Sequence, residues 1–392
     1  MFKQIGAVTS MNVRGIPQRL GASLVIVIGI AVTVGVMVSV LAMAVGFNKT
    51  INSTGRTDRA IVLRGGSVSE LGSTISRDNT LTIMDAAGVR HGEDGKPIAS
   101  AEVLLIVGLP KKGEQSQANV TLRGVGPASF ALRPEIHLTE GRMFQPAVHE
   151  LIVGRSAQGQ FAGLSIGSKI ALRNSEWTVV GVFDSDGDSH ESELLADVET
   201  VLSAFQRNLY QSVVVQLENP DAFNAFKDAL TTNPTLSVDV KRETDYYKAQ
   251  AQQLNKLLNF LAYFVGSIMA IGAVFGALNA MYSAVAARSL EIATLRAIGF
   301  GSFSVVVSVL IEALALALAG GAIGAVFAWL FFNGNTVSTL GGNFTQVVFH
   351  LTVSPTLLVT GIVWACVIGV IGGLFPAIRA ARLPVAAALR AN

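Results

Sequence analysis

The sequence predicts a membrane protein with four transmembrane α-helices and a large α+β extracytoplasmic (periplasmic) domain inserted between helices 1 and 2. Two observations predict this fold class. Only 14% of the 392 residues are charged, whereas about a quarter is usual for a soluble protein. Most of the charged residues lie between Lys49 and Lys256, and long apolar stretches dominate the rest of the chain. The charge-rich part indicates a domain folded in water, and the apolar stretches indicate membrane spans.

Residues 1–20, before the first apolar stretch, contain three basic residues and no acid. Apolar residues lie between the basic ones, at Ile5, Val8, Met11 and Ile16. This pattern is typical of a short amphipathic segment on a membrane surface, and we assign it to the cytoplasmic side.

Four apolar segments are each long enough for the roughly 20 residues that a membrane-spanning helix requires. Glu312 is the only acid within them. The first segment exceeds the roughly 7–15 residues of a signal-peptide core, so we expect an uncleaved anchor. The predicted transmembrane helices 1 to 4 cover residues 21–46, 257–283, 303–332 and 355–378.

Basic residues near the helix ends predict the orientation. If both termini are cytoplasmic, the inside pieces are residues 1–20, the loop 284–302 and the tail 379–392. These pieces contain eight basic residues and one acid, Glu291. We therefore expect an N-in, C-in protein of the inner (cytoplasmic) membrane. The large domain and a short polar loop, 333–354, would then be extracytoplasmic.

The extracytoplasmic domain, residues 47–256, combines strand-like and helix-like patterns. Its last part is polar from Glu243 to Leu258, has neither glycine nor proline, and continues into helix 2, which indicates a stalk helix. The chain has one cysteine, Cys366, so no internal disulfide supports the domain. Strand-like segments are 60–63, 101–108, 118–122, 150–154, 169–172, 177–183, 212–217 and 238–240, and Asp221–Leu230 is helix-like.

A short helix is predicted within the cytoplasmic loop. Two sets of apolar residues recur there at helical spacing. They are Leu290, Ala293 and Ala297, and Ile292, Leu295 and Ile298. Gly299 or Gly301 then supplies a stop signal. The helix has apolar surface outside the membrane spans, and either a partner protein or the membrane surface would cover it.

The same segment resembles the coupling region of the MacB/FtsX-like family of ABC transporter permeases, in which a pattern close to R-x-x-E-I-x-x-L-R-A-I-G recurs. Further similar segments follow in the family's order and cover most of the chain. They are Glu140–Arg142, Glu150–Gly154, Trp177–Val182, Glu312-Ala313, Gly320-Gly321 with Gly324, Gly372–Ala377, Arg379–Pro384 and Leu389-Arg390. The resemblance assigns contact with an ATPase to Leu290, Glu291, Ile292, Leu295, Arg296, Ala297 and Gly299, and it identifies a C-terminal motif of Gly373, Pro376, Arg379, Arg382 and Pro384.

The resemblance implies the permease subunit of an ABC export system. Two permease chains, identical or paralogous, would dock on ATP-binding cassette ATPase subunits and sit among membrane lipids. A periplasmic adaptor and an outer-membrane channel would join in cells that have an outer membrane. ATP-driven motion below the membrane would move the extracytoplasmic domain and drive export. Two alternatives within the family are a lipoprotein-releasing permease and an FtsX-like signalling protein that controls cell-wall hydrolases.

Several kinds of chemistry lack support in the sequence. Gly92–Lys96 and Gly167–Lys169 do not have the spacing of a phosphate-binding P-loop, so ATP and Mg²⁺ would bind to the partner and the chain is not expected to be an enzyme. The five histidines show no metal-ligand spacing, and no basic patch with aromatics suggests nucleic-acid binding. The acidic segment Asp184–Glu193 fails the EF-hand pattern and is interpreted as a solvated loop. We expect no cofactor or metal in this chain.

An ionisable residue inside a membrane segment is a functional candidate, and Glu312 is the acid in this position. It would make a polar contact in the helix bundle or across the permease dimer, or it would be a protonated or hydrogen-bonded structural acid. No second ionisable group lies in the predicted segments, so we expect no proton relay. Small-residue faces predict close helix packing. The glycines concerned are Gly272, Gly276, Gly320, Gly321 and Gly324.

Overall fold

The computed structural model describes residues 20–113, 116–341 and 345–384, which divide into two compact units. The helical unit contains the chain up to Val45, Leu257–Asn335 and the part from Leu351 onward. The sheet unit contains Gly46–Lys256 and Thr336–His350. Nearly all of the predicted N-terminal amphipathic segment and the end of the predicted tail, including Leu389-Arg390, lie outside the described residues.

The helices and strands are numbered in chain order. The helices are α1 (Leu20–Ser53), α2 (Arg77–Met84), α3 (Ser129–Leu132), α4 (Arg155–Gln160), α5 (Val198–Ala204), α6 (Phe223–Thr231), α7 (Glu243–Ala287), α8 (Ser289–Ala297), α9 (Ser302–Phe332) and α10 (Pro355–Ala381). The strands are β1 (Arg59–Arg64), β2 (Ala99–Pro110), β3 (Gln117–Val125), β4 (His137–Gly141), β5 (Glu150–Gly154), β6 (Lys169–Leu172), β7 (Ser175–Asp184), β8 (Glu193–Asp197), β9 (Ser212–Gln216), β10 (Val238–Arg242), β11 (Thr336–Leu340) and β12 (Gln346–His350).

Four helices in the described chain are long and apolar enough to cross a membrane: α1, α7, α9 and α10. They overlap the four predicted segments. Helix α10 starts cleanly because Ser354 accepts a hydrogen bond from the Leu357 N–H and Pro355 occupies the first helical position. Small residues let α9 and α10 approach closely, since a Cβ on Gly369 would lie 2.5 Å from the Ala317 side chain.

The sheet unit is built on a ten-stranded mixed sheet among the residues described, so the predicted α+β character is confirmed. Its strand order is β10-β1-β9-β2-β3-β8-β5-β7-β4, with β6 paired to β7. Most neighbours are antiparallel, but β3 with β8 and β5 with β7 run parallel. Fully buried side chains such as Trp177, Phe161 and Phe226 fill the core under the sheet. Strands β4 and β8 were not predicted, since both are short and neither has a clear alternation of apolar and polar residues.

A β-hairpin replaces the loop expected at 333–354. Strands β11 and β12 pair antiparallel and belong to the sheet unit. Phe349 meets the Phe47 ring edge-on at 5.6 Å, and the Val348 N–H donates to Ser192 Oγ at 2.9 Å. The glycine, asparagine and threonine residues of this segment favour a loop, but burial of β12 against the sheet unit outweighs that local preference.

Candidate functional site

Helix α8 is set apart from its neighbours by a break at each end. Arg288 separates it from α7, and the Arg288 carbonyl accepts the Ile292 N–H at 2.9 Å. At the other end Gly299 has a φ of +100°, a conformation that favours glycine. The Gly299 N–H bonds to the Arg296 carbonyl and the Phe300 N–H to the Leu295 carbonyl, which is the hydrogen-bond pair of a Schellman stop. Of the two predicted stop residues, Gly299 is the one used.

The two faces of α8 differ in exposure. Ile292 and Ala293 are buried against the helical unit, and Leu295 and Arg296 are half-buried. The opposite face leaves apolar residues in the open, because Leu290 is 46% exposed and Ile298, just past the helix, is 71% exposed. The remaining predicted contact residues, Glu291, Ala297 and Gly299, are exposed as well. The described residues leave this small face uncovered, and Leu290 and Ile298 give it apolar surface beside the charge of Glu291.

Glu312 has an ionic partner that sequence reasoning missed. Arg288 Nη2 donates to Glu312 Oε2 at 2.5 Å, and both residues are 3% exposed. The sequence places Arg288 among the basic residues of the cytoplasmic loop, so its inward orientation was not predicted. Arg288 lies just outside the predicted segments, so the statement that no second ionisable group lies within them stands, but a base from the adjoining loop reaches back to Glu312.

The C-terminal motif lies against the same region. Arg296 donates through Nη1 to the Leu383 carbonyl at 2.5 Å, just beyond the end of α10. The Arg379 guanidinium lies 5.4 Å from the centre of the Tyr282 ring of α7. Gly373 and Pro376 are buried. The last two residues of the predicted motif, Arg382 and Pro384, are exposed.

The predicted packing glycines divide into two sets. A Cβ at Gly320 would lie 2.7 Å from the Val27 carbonyl oxygen, and one at Gly324 would lie 2.4 Å from the Ala31 carbonyl oxygen. Gly321 is equally close to the Ala365 side chain. These three glycines therefore pack against α1 or α10. By contrast, a Cβ at Gly272 or Gly276 would meet no described atom within 4 Å, so these two glycines do not pack closely against any of the described helices.

The sheet unit contains a buried charge network that the sequence did not predict. Its members come from distant parts of the chain and meet beside the first turn of α7. They are Arg59, Glu70, Glu102, Arg123, Arg133, Glu135, His190, Glu193 and Glu243. The signal that could have found it is the presence of charged residues, Glu102 and Arg123, in segments whose neighbours are apolar and strand-like.

Arg123 is the centre of this buried charge network. Its guanidinium bonds Glu70 at 2.8 Å, Glu102 at 2.9 Å and Glu193 at 2.8 Å, and the arginine is 2% exposed. Glu102 is shared, because Arg133 also bonds it at 2.5 Å. Arg123 and Glu102 therefore each have more than one partner of opposite charge, which offsets the cost of removing them from water.

Glu243 connects the start of α7 to the buried charge network. Its carboxylate accepts from the Arg56 N–H at 3.1 Å and from Arg59 Nη1 at 3.4 Å. Arg59 in turn bonds Glu135 through both terminal nitrogens, at 2.6 and 2.8 Å. The first turn of this long helix is thus fixed to the sheet unit by charge-assisted hydrogen bonds.

The pKa shifts follow from these contacts. Burial alone would raise the pKa of the Glu102 carboxyl, but the positive charges of Arg133 and Arg123 outweigh it and lower the pKa. Burial likewise opposes ionisation of Glu193, while Arg123 and His190 together hold its pKa well below the usual range. For His190, burial favours the neutral ring, but Glu193 and Asp188 raise the pKa. The Glu102 and Glu193 carboxyl groups are therefore ionised at neutral pH.

The acidic segment Asp184–Glu193 is not a solvated loop, which corrects the prediction. Ser185, Asp188, His190 and Glu193 are all buried. Asp188 caps a short 3-10 helix by accepting the His190 N–H, and burial raises its pKa to about 6. Among the described residues no group of three or more His, Cys, Asp or Glu side chains has metal-binding geometry. The segment thus contributes His190 and Glu193 to the buried charge network.

Comparison with known proteins yields two matching family models. The model of the MacB-like periplasmic core domain matches residues 23–233, more than half of the chain. The model of the FtsX-like permease C-terminal region matches residues 263–385. Together they span both the sheet unit and the helices with α8.

Curated relatives agree with these models. The chain is 25% identical to the macrolide export ATP-binding/permease protein MacB of Bdellovibrio bacteriovorus, covering 95% of this chain and 59% of that protein. It is 24% identical to the MacB of Shewanella oneidensis, covering 93% of this chain and 57% of that protein. The chain therefore spans less than two thirds of the length of these relatives.

Solved structures with some similarity include the periplasmic region of MacB from Actinobacillus actinomycetemcomitans. That match has 13% identity and a TM-score of 0.38, and covers 53% of this chain and 97% of that one. The extracellular domain of the noncanonic ABC-type transporter YknZ from Gram-positive bacteria matches at 15% identity and a TM-score of 0.36. This match covers 47% of this chain and 99% of that one.

Proposed function

The chain belongs to the MacB/FtsX-like family of ABC transporter permeases, inner-membrane proteins with a periplasmic domain, and we propose from this premise that it couples a separate ATPase to export. In this proposal an ATP-binding cassette subunit docks on α8 from the cytoplasm. Its ATP-driven movement displaces α8, and the membrane helices pass the displacement to the periplasmic domain. ATP and Mg²⁺ are bound by the partner, and this chain supplies the mechanical path.

The apolar surface of α8 that the described residues leave uncovered is the observation that carries the proposal. Leu290 and Ile298 leave apolar surface open, while Ile292 and Ala293 hold the helix to the unit behind it. A helix that is packed on one face and apolar on the other is suited to enter a groove of a partner. The orientation follows: α8 is cytoplasmic, so both termini are cytoplasmic and the sheet unit is periplasmic.

Further partners follow from the same assignment. A second permease chain completes the assembly. The glycine face of α7 at Gly272 and Gly276, which no described atom approaches closely, is a surface that this second chain could cover. A periplasmic adaptor and an outer-membrane channel belong to the proposal as partners of the periplasmic domain. The match to the MacB-like periplasmic core over residues 23–233 favours export over FtsX-like signalling.

Co-purification tests the docking face directly. The full chain is co-expressed in turn with each ATP-binding cassette subunit of its source organism and purified in detergent. Leu290→Asp combined with Ile298→Asp is expected to abolish retention of the ATPase, because two charges would enter an apolar contact. Val68→Asp is the matched control, since Val68 is 83% exposed but lies in the sheet unit. Wild-type chain that retains no ATPase with any nucleotide would overturn the proposal.

A further inference from the structure

The buried pair of Arg288 and Glu312 lies at the entry to α8. Arg288 is the single residue between α7 and α8, and its backbone carbonyl receives the first hydrogen bond of α8. Its side chain reaches α9, where it bonds Glu312. One residue therefore starts α8 and attaches it to a different helix.

The pair is costly to separate. Both side chains are 4% exposed, and no other salt bridge involves either of them among the described residues. Arg288 Nε also lies 3.4 Å from the Ala284 carbonyl oxygen, which holds the guanidinium in place. Removing either partner would leave the other charge buried without an opposite charge, which is unfavourable in a protein interior and more so near hydrocarbon.

The other end of α8 is attached as well. Arg296 bonds the Leu383 carbonyl beyond α10, and α9 and α10 are themselves closely packed. A Cβ on Gly373 would lie 2.6 Å from the Ala313 side chain, the residue next to Glu312. Helix α8 is thus held by one polar contact to α9 and by another to the end of α10. Its link to α7 is the broken turn at Arg288.

We propose that Arg288 and Glu312 are positioning residues that make α8, α9 and α10 move as one body when the ATPase acts. This inference rests on the proposed function for the identity of the driving partner. The attachment itself is a property of this chain. The pair fixes the angle of α8 against α9, so displacement of α8 is passed to the two helices instead of being absorbed at the turn between α7 and α8.

A distance measurement tests the attachment without assuming an ATPase. Spin labels are placed at Ser289→Cys on α8 and Leu318→Cys on α9, in a chain whose single native cysteine is replaced by Cys366→Ser. The wild-type pair should give one narrow distance distribution in detergent or nanodiscs. Glu312→Gln and Arg288→Gln should broaden it. The exchange of charges, Arg288→Glu with Glu312→Arg, should narrow it again, because the ionic contact is re-formed with opposite polarity.

The functional arm uses the complex with the ATPase. Glu312→Gln should retain bound ATPase but lose most of the stimulation of ATP hydrolysis by the permease. The charge exchange should restore part of it. In the wild type, the distance between the two labels should stay the same when a non-hydrolysable ATP analogue binds. Ser283→Ala is the matched control, since its exposed hydroxyl bonds the Asn279 carbonyl of its own helix.

The outcomes distinguish failure of the positioning role of Arg288 and Glu312 from failure of the proposed function. A distribution that stays narrow in Glu312→Gln, or a wild-type distance that changes with the ATP analogue, overturns the positioning role. Broadening and recovery in a chain that binds no ATPase uphold the attachment while the proposed function fails. If the single variants do not fold, the charge-exchanged chain provides the test. If it folds and ATP hydrolysis is again stimulated, the positioning role of the pair is supported. If it folds but hydrolysis is still not stimulated, the positioning role is overturned.

Discussion

The helical unit and the sheet unit each bury charged residues, but they support them differently. In the described part of the helical unit, Arg288 and Glu312 form an isolated pair that joins two helices. In the sheet unit, Arg123 alone bonds three carboxylates, and one of these is shared with Arg133. The comparison teaches that a buried charge with one partner determines a position, whereas charges with many partners hold a whole fold together.

The difference also predicts how each arrangement fails. When a charge is removed from a network, several opposite charges lose their partner at once, and the free energy of unfolding changes most. When a charge is removed from an isolated pair, only one opposite charge loses its partner. Loss of the pair should therefore cost less unfolding free energy than loss of Arg123.

The largest effect is expected for Arg123→Met. This change removes the centre of the buried charge network and leaves Glu70, Glu102 and Glu193 facing one another. We expect the sheet unit to lose about 3–5 kcal/mol of unfolding free energy or to fail to fold. Thermal unfolding of the full chain in detergent, followed by limited proteolysis, measures it. Arg77→Ala is the control, because the Arg77–Glu199 pair is exposed and contributes about 0–1 kcal/mol. Equal effects of both changes would contradict the network's role.

A middle-sized effect is expected within the helical unit at Gly324→Ala. The new Cβ would lie 2.4 Å from a backbone oxygen of α1, which cannot move aside easily. We expect a loss of about 1–3 kcal/mol, the usual cost of overpacking. Thermal stability of the purified chain checks this value.

Gly276→Ala is the matched change, since no described atom lies within 4 Å of its new Cβ. It should leave the stability of the single chain unchanged. A weaker dimer in this variant, measured by light scattering, would assign the α7 glycine face to a second copy. A stability loss as large as that of Gly324→Ala would show that α7 packs against its own chain there.

The smallest effect concerns pH. Burial raises the pKa of Asp188 from 3.8 to about 6, so the folded state holds this proton more tightly than the unfolded state. The stability contributed by the protonated group is fully present below about pH 3.8 and is lost as pH rises through 6. We expect the sheet unit to lose about 1 kcal/mol between pH 5 and 7 from this group. Denaturant unfolding of Asp188→Asn should show a flatter pH profile, and an unchanged profile would contradict the assignment.

Much of the fold could be predicted because apolar runs and alternating patterns are local properties. The four long helices and most strands follow from them, and so does the stop at Gly299. The hairpin of β11 and β12 could not, because its glycine and threonine residues favour a loop when considered alone. Its strands exist because Phe349 and Val348 find partners in a part of the chain far earlier in sequence.

The site was predicted in part for a similar reason. Glu312 stands out in the sequence because acids are rare in apolar segments. Arg288 does not, since it is one of eight basic residues expected on the cytoplasmic side. The buried charge network was missed because its contacts are long-range: Arg59 and Glu243 are 184 positions apart. No local pattern reports such a contact.

The hairpin has a consequence for how the protein is made. The sheet unit is discontinuous in sequence, since residues 336–350 complete it after the chain has run through α7, α8 and α9. A ribosome producing this chain must therefore deliver three further helices before the sheet unit can close over Phe47 and Ser192. A soluble fragment cut at Lys256 would leave that surface open, whereas one that rejoins 336–350 through a short linker would be closed.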